Sequence, residues 1–208
     1  MRGRLLGLLL ISIPMAARGA ELAEIHEKEA IALIENARES RAGGYFSRSE
    51  AQYRRALGMV ERSFGIESPD LIPGLNGLAE LYFDMGRYSE AEVLSKRSAA
   101  LVTAALGPGH PLLATAEQDL AAIYHAQGQY GKAEPLYLHA LAIREASLGT
   151  NHPFVAVTLS SLAEMERAQS NYERAAVHYA VRSSQLISPV FSMDNGTSPG
   201  WLRYTRPW

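Results

Sequence analysis

From residue 111 to residue 148 the chain carries two apolar stripes at helical spacing. Leu113, Ala116, Leu120, Ile123 and Tyr124 form the first; Ala133, Leu136, Tyr137, Ala140, Leu141 and Ile143 form the second. Steps of three and four residues predict two amphipathic helices. Gly128 separates them, and Gly149, suited to a left-handed C-terminal cap, closes the second. Pro153 follows, at a place suited to the first turn of a further helix, where the missing N–H costs nothing. The same punctuation recurs at an offset of 42: Gly65, Gly107 and Gly149; Pro69, Pro111 and Pro153; Ala79, Ala121 and Ala163. Phe46, Tyr88, Tyr130 and Tyr172 keep it over four copies, as do Gly44, Gly86 and Gly128 with Ser170 in the fourth place. A period of this length marks one supersecondary unit repeated along the chain. The expected fold is all-α, with helix pairs over about residues 23–65, 66–107, 108–149 and 150–186.

The ends depart from the period. Arg2 and Arg4 precede a mostly apolar, uncharged run over residues 5–17, followed by the small residues Ala17 and Gly19. This order predicts a secretory signal over residues 1–19, cleaved before Ala20, since the run is too short to span a bilayer comfortably. The chain is then periplasmic or secreted; an uncleaved signal makes it membrane-anchored instead. After Leu186 the helical period stops, and prolines at 189, 199 and 207 predict an extended or disordered tail over residues 187–208. Trp201, Tyr204 and Trp208 of that tail are expected to cover the last helix, in cis or from a second copy, so a homo-oligomer through the C-terminal end is an open arrangement.

Composition narrows the function classes. Cysteine is absent, which removes disulfides, thiol catalysis and cysteine-ligated zinc. The formal net charge is −2, and cleavage before Ala20 leaves 17 basic and 22 acidic residues, a net charge of −5. A nucleic-acid partner is therefore not expected. His110 and His152 sit at repeat junctions before in-register prolines; no His-x₃-His pair, G-x-S-x-G or phosphate-binding loop occurs. No catalytic residue, metal site, cofactor or small-molecule substrate is expected.

The central residues resemble the tetratricopeptide repeat family, in the 42-residue variety of kinesin light chains. Leu78, Ala79, Tyr82, Gly86, Tyr88 and Ala91 carry its pattern, and Leu120, Ala121, Tyr124, Gly128, Tyr130 and Ala133 repeat it. The fourth copy departs, with Glu166 for tyrosine and Ser170 for glycine. The resemblance implies an α-solenoid of about four antiparallel helix pairs in a right-handed superhelix. It also implies a concave groove, lined by the first helix of each pair, that binds an extended peptide or protein segment. By register the groove residues are Arg38 and Arg41, then Asn76, Glu80 and Phe83, then Gln118 and His125, then Ser160, Glu164 and Arg167. Asn76 and Gln118 would hold the backbone, Phe83 would anchor a side chain, and the charge order, basic then acidic then mixed, would set direction. The expected function is a non-enzymatic adaptor or scaffold; the alternative is a structural subunit of an envelope complex, packed permanently against a partner or itself.

Overall fold

The computed structural model describes residues 15–191, with side chains over residues 24–182. Among the described residues the chain is helical throughout, and its helices alternate as the period predicts. They are α1 (Met15–Ala42), α2 (Phe46–Phe64), α3 (Ile72–Asp84), α4 (Tyr88–Leu106), α5 (Pro111–Ala126), α6 (Tyr130–Leu148), α7 (Pro153–Ala168) and α8 (Tyr172–Phe191), with a single 3₁₀ turn, Pro69–Leu71, leading into α3. This is a helical solenoid of the tetratricopeptide type. The chain divides into two compact units, the first ending at Ala140 and the second beginning at Leu141. In the first unit α1 packs on α2, α2 on α3, α3 on α4 and α4 on α5; in the second, α7 packs on α8.

Of the expected signal over residues 1–19, residues 1–14 lie outside the described residues, and residues 15–19 form the first turns of α1. Most of the expected tail, residues 192–208 with Trp201, Tyr204 and Trp208, also lies outside them. Its beginning, however, is helical: α8 continues past Leu186 to Phe191.

Each pair turns through one motif. After α3, the N–H of Gly86 donates to the carbonyl of Phe83 at 2.9 Å, and the N–H of Arg87 donates to that of Tyr82 at 2.8 Å. Gly44, Gly128 and Ser170 close α1, α5 and α7 with the same two bonds. These satisfy carbonyls that a helix end leaves without partners, and they require a left-handed residue. The three glycines supply φ of 71 to 77°, and Ser170 adopts φ 63° despite its Cβ. The glycines between pairs do something else. Gly65 and Gly107 combine φ near 90° with ψ of 167° and 165°, an extended region open essentially to glycine alone and unlike the left-handed cap expected at Gly149, their register partner.

The following helix starts by side-chain capping. Ser68 Oγ accepts from the N–H of Asp70, and the Nδ1 atoms of His110 and His152 accept from the N–H groups of Leu112 and Phe154, each at 3.2 Å. The recurring histidine before proline is thus an N-cap. Packing within pairs depends on two rows of small residues. Ala37, Ala79, Ala121 and Ala163 on the first helices, and Ser49, Ala91, Ala133 and Ala175 on the second, are all buried to 4% exposure or less. Side chains this small let the two backbones of a pair approach closely.

Ser170 is the one non-glycine among the four left-handed turn residues. Ser170→Gly is expected to stabilise the fourth pair by about 0.5–1 kcal/mol, because it relieves the Cβ strain at positive φ. Thermal unfolding of wild type and variant checks this; an unchanged or lower midpoint would show that Ser170 bears no strain.

Candidate functional site

The positions expected to line a groove lie on first helices, and in the first unit they converge. Arg38 on α1 and Asn76 and Glu80 on α3 line one cavity of about 370 Å³, together with Asp70, Leu112 and Thr115. Arg41 on α1 and Glu80 and Phe83 on α3 line a second, of about 140 Å³, which reaches Asp119 and Ala122 on α5. Glu80 is common to both. Further along α1, Ile34 and Arg38 border a third cavity with Val60 and Pro73. Of the residues that register assigned to one face, Arg38, Arg41, Asn76, Glu80 and Phe83 thus border these cavities, whereas on α5 the lining residues are Leu112, Thr115, Asp119 and Ala122, and Gln118 and His125 line neither of the first two.

The charges of that face are arranged differently from the sequence expectation. Arg41 does not stand as a basic pole: its Nε is 2.5 Å from Asp84 Oδ2, and its Nη1 bonds Glu80. Burial works against the guanidinium charge, but Asp84 and Glu80 outweigh it and hold Arg41 above its ordinary range. Two carboxylates meet one cation there, so the basic-then-acidic order reduces to the exposed Arg38 followed by a compensated cluster. Phe83 is half-buried, its ring 5.5 Å from that of Tyr88 and tilted by 60°. Asn76 and Gln118 are also half-buried. His125 packs against Tyr130, with ring centroids 5.8 Å apart.

In the second unit, Glu164 and Arg167 pair at 2.8 Å, and the Tyr179 hydroxyl donates to Glu164 at 2.6 Å, which holds the Tyr179 proton more tightly than usual. The Ser160 hydroxyl donates to the carbonyl of Ala156, one turn back on its own helix. Exposed pairs of this kind are worth little in stability but fix side-chain positions.

Sequence reasoning missed a polar knot that recurs between pairs. The Tyr82 hydroxyl donates to Glu50 Oε1 at 2.9 Å, Arg54 lies 2.8 Å from the same oxygen, and the Arg87 guanidinium stacks 4.1 Å from the Tyr82 ring centre. One repeat later the Tyr124 hydroxyl donates to Glu92 at 2.9 Å, Lys96 lies 2.6 Å from Glu92, and Lys132 lies over the Tyr124 ring. The Lys96 ammonium, helped by the tyrosine hydroxyl against a burial penalty, holds the Glu92 carboxyl below the usual carboxylate range. The signal was available: Glu50 and Glu92, like Arg54 and Lys96, are separated by 42. In the last pair Glu166 replaces the tyrosine; it is fully buried, with Oε1 3.0 Å from Arg174 Nε. The residue that breaks the pattern thus brings its own counter-ion from α8.

Among the described residues no cluster of three metal-ligating side chains occurs, and no helix is long and apolar enough to cross a membrane. The sequence profile of the Tetratricopeptide repeat family matches residues 70–146 and 119–181, together more than half of the chain. No curated protein matches the sequence. Solved structures do. BtubC (BKLC) from P. vanneervenii superposes with a TM-score of 0.74 at 17% identity, covering 91% of this chain and 72% of that one. A Podosopora anserina putative kinesin light chain with nearly identical TPR-like repeats gives 0.64 at 21% identity, covering 82% and 85%. The apo form of RapI gives 0.65 at 21% identity, covering 82% of this chain and 57% of that one. At such identities the likeness is one of fold.

Proposed function

The chain belongs to the tetratricopeptide repeat family, whose members typically bind proteins or peptides, and on that premise we propose that it is a non-enzymatic interaction module that holds an extended peptide or protein segment on its first-helix face. The observation that carries this reading is the convergence of Arg38, Asn76, Glu80, Arg41 and Phe83 on two adjoining cavities that share Glu80. An extended segment needs partners for its backbone and a recess for a side chain. Asn76 supplies a donor and an acceptor for the first. Phe83 forms an apolar wall for the second. Gln118 and His125 extend the face along α5, and Ser160, Glu164 and Arg167 are the equivalent positions of the second unit. Support for a role outside the cytoplasm comes from the sequence alone, in the basic start, apolar run and small-residue exit of residues 1–19.

The alternative, a structural subunit of an envelope complex packed permanently against a partner or itself, has an observation of its own. On α8, Val177 and Val181 lie one helical turn apart and are both exposed, apolar side chains left at the surface among the described residues.

Peptides selected from a displayed random library against the chain from Ala20 onward separate the two readings. Asn76→Ala combined with Phe83→Ala is expected to weaken the selected peptides by roughly 2 kcal/mol, about thirtyfold, with helicity unchanged. Val93→Ser, at an exposed position of α4, should leave affinity within about twofold. Equal binding by wild type and the double variant would refute the groove. Export has a separate readout. Intact mass of the protein recovered from cells should begin at Ala20; a full-length mass in the membrane fraction would make it an anchored protein.

A further inference from the structure

The α1 end of the first-helix face differs in chemistry from the part on α3. On α1, Ala30, Ile31 and Ile34 line a cavity of about 340 Å³, bordered on its other side by Val60 of α2 and Pro73 of α3. Ala30, Ile34 and Val60 are buried to 7% exposure or less, whereas Ile31 stands 51% exposed at the rim. One repeat later the equivalent places border the cavity of about 370 Å³ described above: Ile34 corresponds to Asn76, and Ile31 to Pro73. The amide that offers the second pair a donor and an acceptor is therefore a hydrocarbon in the first. The recess is kept, and the group that would hold a backbone is not.

Around this apolar floor the rim is acidic. Glu27, Ile31 and Glu35 fall at steps of four on α1, so a carboxylate stands one turn to either side of the exposed isoleucine. Both glutamates are exposed and border the cavity, and Asp70 adds a third carboxylate. The Ser68 hydroxyl donates to Asp70 at 2.9 Å, a neutral contact that leaves its charge in place. Basic residues nearby are engaged with other acids, Lys28 with Glu24 and Arg55 with Glu29, and Arg38 is the single cation on the lining. Nucleic acid or anionic lipid would thus meet three carboxylates and one arginine. A second copy presenting this face would set Glu27 and Glu35 against their own kind. A bare metal ion would find a hydrocarbon floor. What fits is a bulky apolar side chain carried between cations. A cavity of about 150 Å³ holds benzene, so one of this size admits an indole.

Spacing sharpens the description. Eight residues separate Glu27 from Glu35, about 12 Å along the helix axis. In an extended segment, residues i and i+4 are about 13 Å apart, and i, i+2 and i+4 point to one side. We propose that the α1 end of the first-helix face binds an extended protein segment of the form basic–x–aromatic–x–basic. It lies along α1, with its ring against Ile31, Ile34 and Val60 and its basic side chains on Glu27 and Glu35. The end that Arg38 and Arg41 would have made basic, receiving a partner's acidic end, therefore receives a basic one. This adds a side-chain subsite to the groove reading and rests on it only for the source of the segment, a protein partner.

The capped pentapeptide acetyl-Arg-Ala-Trp-Ala-Arg-amide, titrated into the chain from Ala20 onward and followed by amide chemical shifts, tests the subsite without a partner protein. Saturable binding with a dissociation constant on the order of 1 mM is expected, with the largest shifts at Ile31, Ile34 and Val60. A peptide with glutamate at both ends, and one with alanine for tryptophan, should each bind at least about tenfold more weakly. Glu27→Gln with Glu35→Gln changes two exposed side chains and should leave the fold intact. That double variant should bind the arginine peptide about fivefold more weakly and no longer distinguish it from the glutamate peptide. Absence of saturable binding to wild type overturns the proposal, as does equal binding of the arginine and glutamate peptides. Changed resonances of Ile31 and Ile34 on deleting residues 192–208 would assign the cavity to the chain's own C-terminal residues and overturn the partner. Pentapeptide binding with no library-selected peptide that needs Asn76 and Phe83 would refute the groove reading and leave the subsite standing; the reverse result would refute the subsite alone.

Discussion

One residue at positive φ ends the first helix of every pair, and the rest of the repeat depends on it. The two hydrogen bonds around Gly86 spend the last carbonyls of α3 on the turn itself, so that α4 begins within a few residues. Gly44 and Gly128 repeat the arrangement, and Ser170 reproduces it at a conformational cost. A fixed turn fixes which side chains of the two helices meet. Only then can alanine at positions 37, 79, 121 and 163 lie against serine or alanine at 49, 91, 133 and 175, and only then does a constant face of each first helix remain for other contacts. Small residues and glycines alone contribute little hydrophobic stabilisation. Their contribution is geometric, and larger neighbours such as Leu71, Leu75, Leu81, Ile123 and Leu162 supply the buried area.

Electrostatics acts within that frame as compensation. Arg41 lies between Glu80 and Asp84, Arg87 between Glu50 and Glu90, and Arg167 beside Glu164. Each of these cations is tied to a carboxylate of its own or a neighbouring helix, so none of the three stands as a free basic pole. On the proposed reading, recognition at the first-helix face would depend on local hydrogen bonding and shape more than on long-range attraction, and salt should affect it modestly.

Much of the fold was legible because a repeat reports each requirement several times. Glycine at 44, 86 and 128, proline at 69, 111 and 153, and alanine at 79, 121 and 163 coincide at one offset, and the helix boundaries follow from them. What the period could not convey was the meaning of each glycine class. Gly65 and Gly107 look in sequence like ordinary helix caps, yet their ψ near 165° is a matter of chain path between pairs. Ion pairing was hidden for a related reason. Arg41 is 39 and 43 residues from its partners Glu80 and Asp84, neither of which is the repeat distance.

The central claim is that the first-helix face, and no other, holds the partner. A photo-crosslinking amino acid placed singly at Asn76, at Gln118 or at Val93 of the full chain, irradiated in the cells that produce it, tests this most directly. The account predicts a shared crosslinked species from positions 76 and 118 and none from position 93. Crosslinks from position 93 with none from positions 76 and 118 would contradict it.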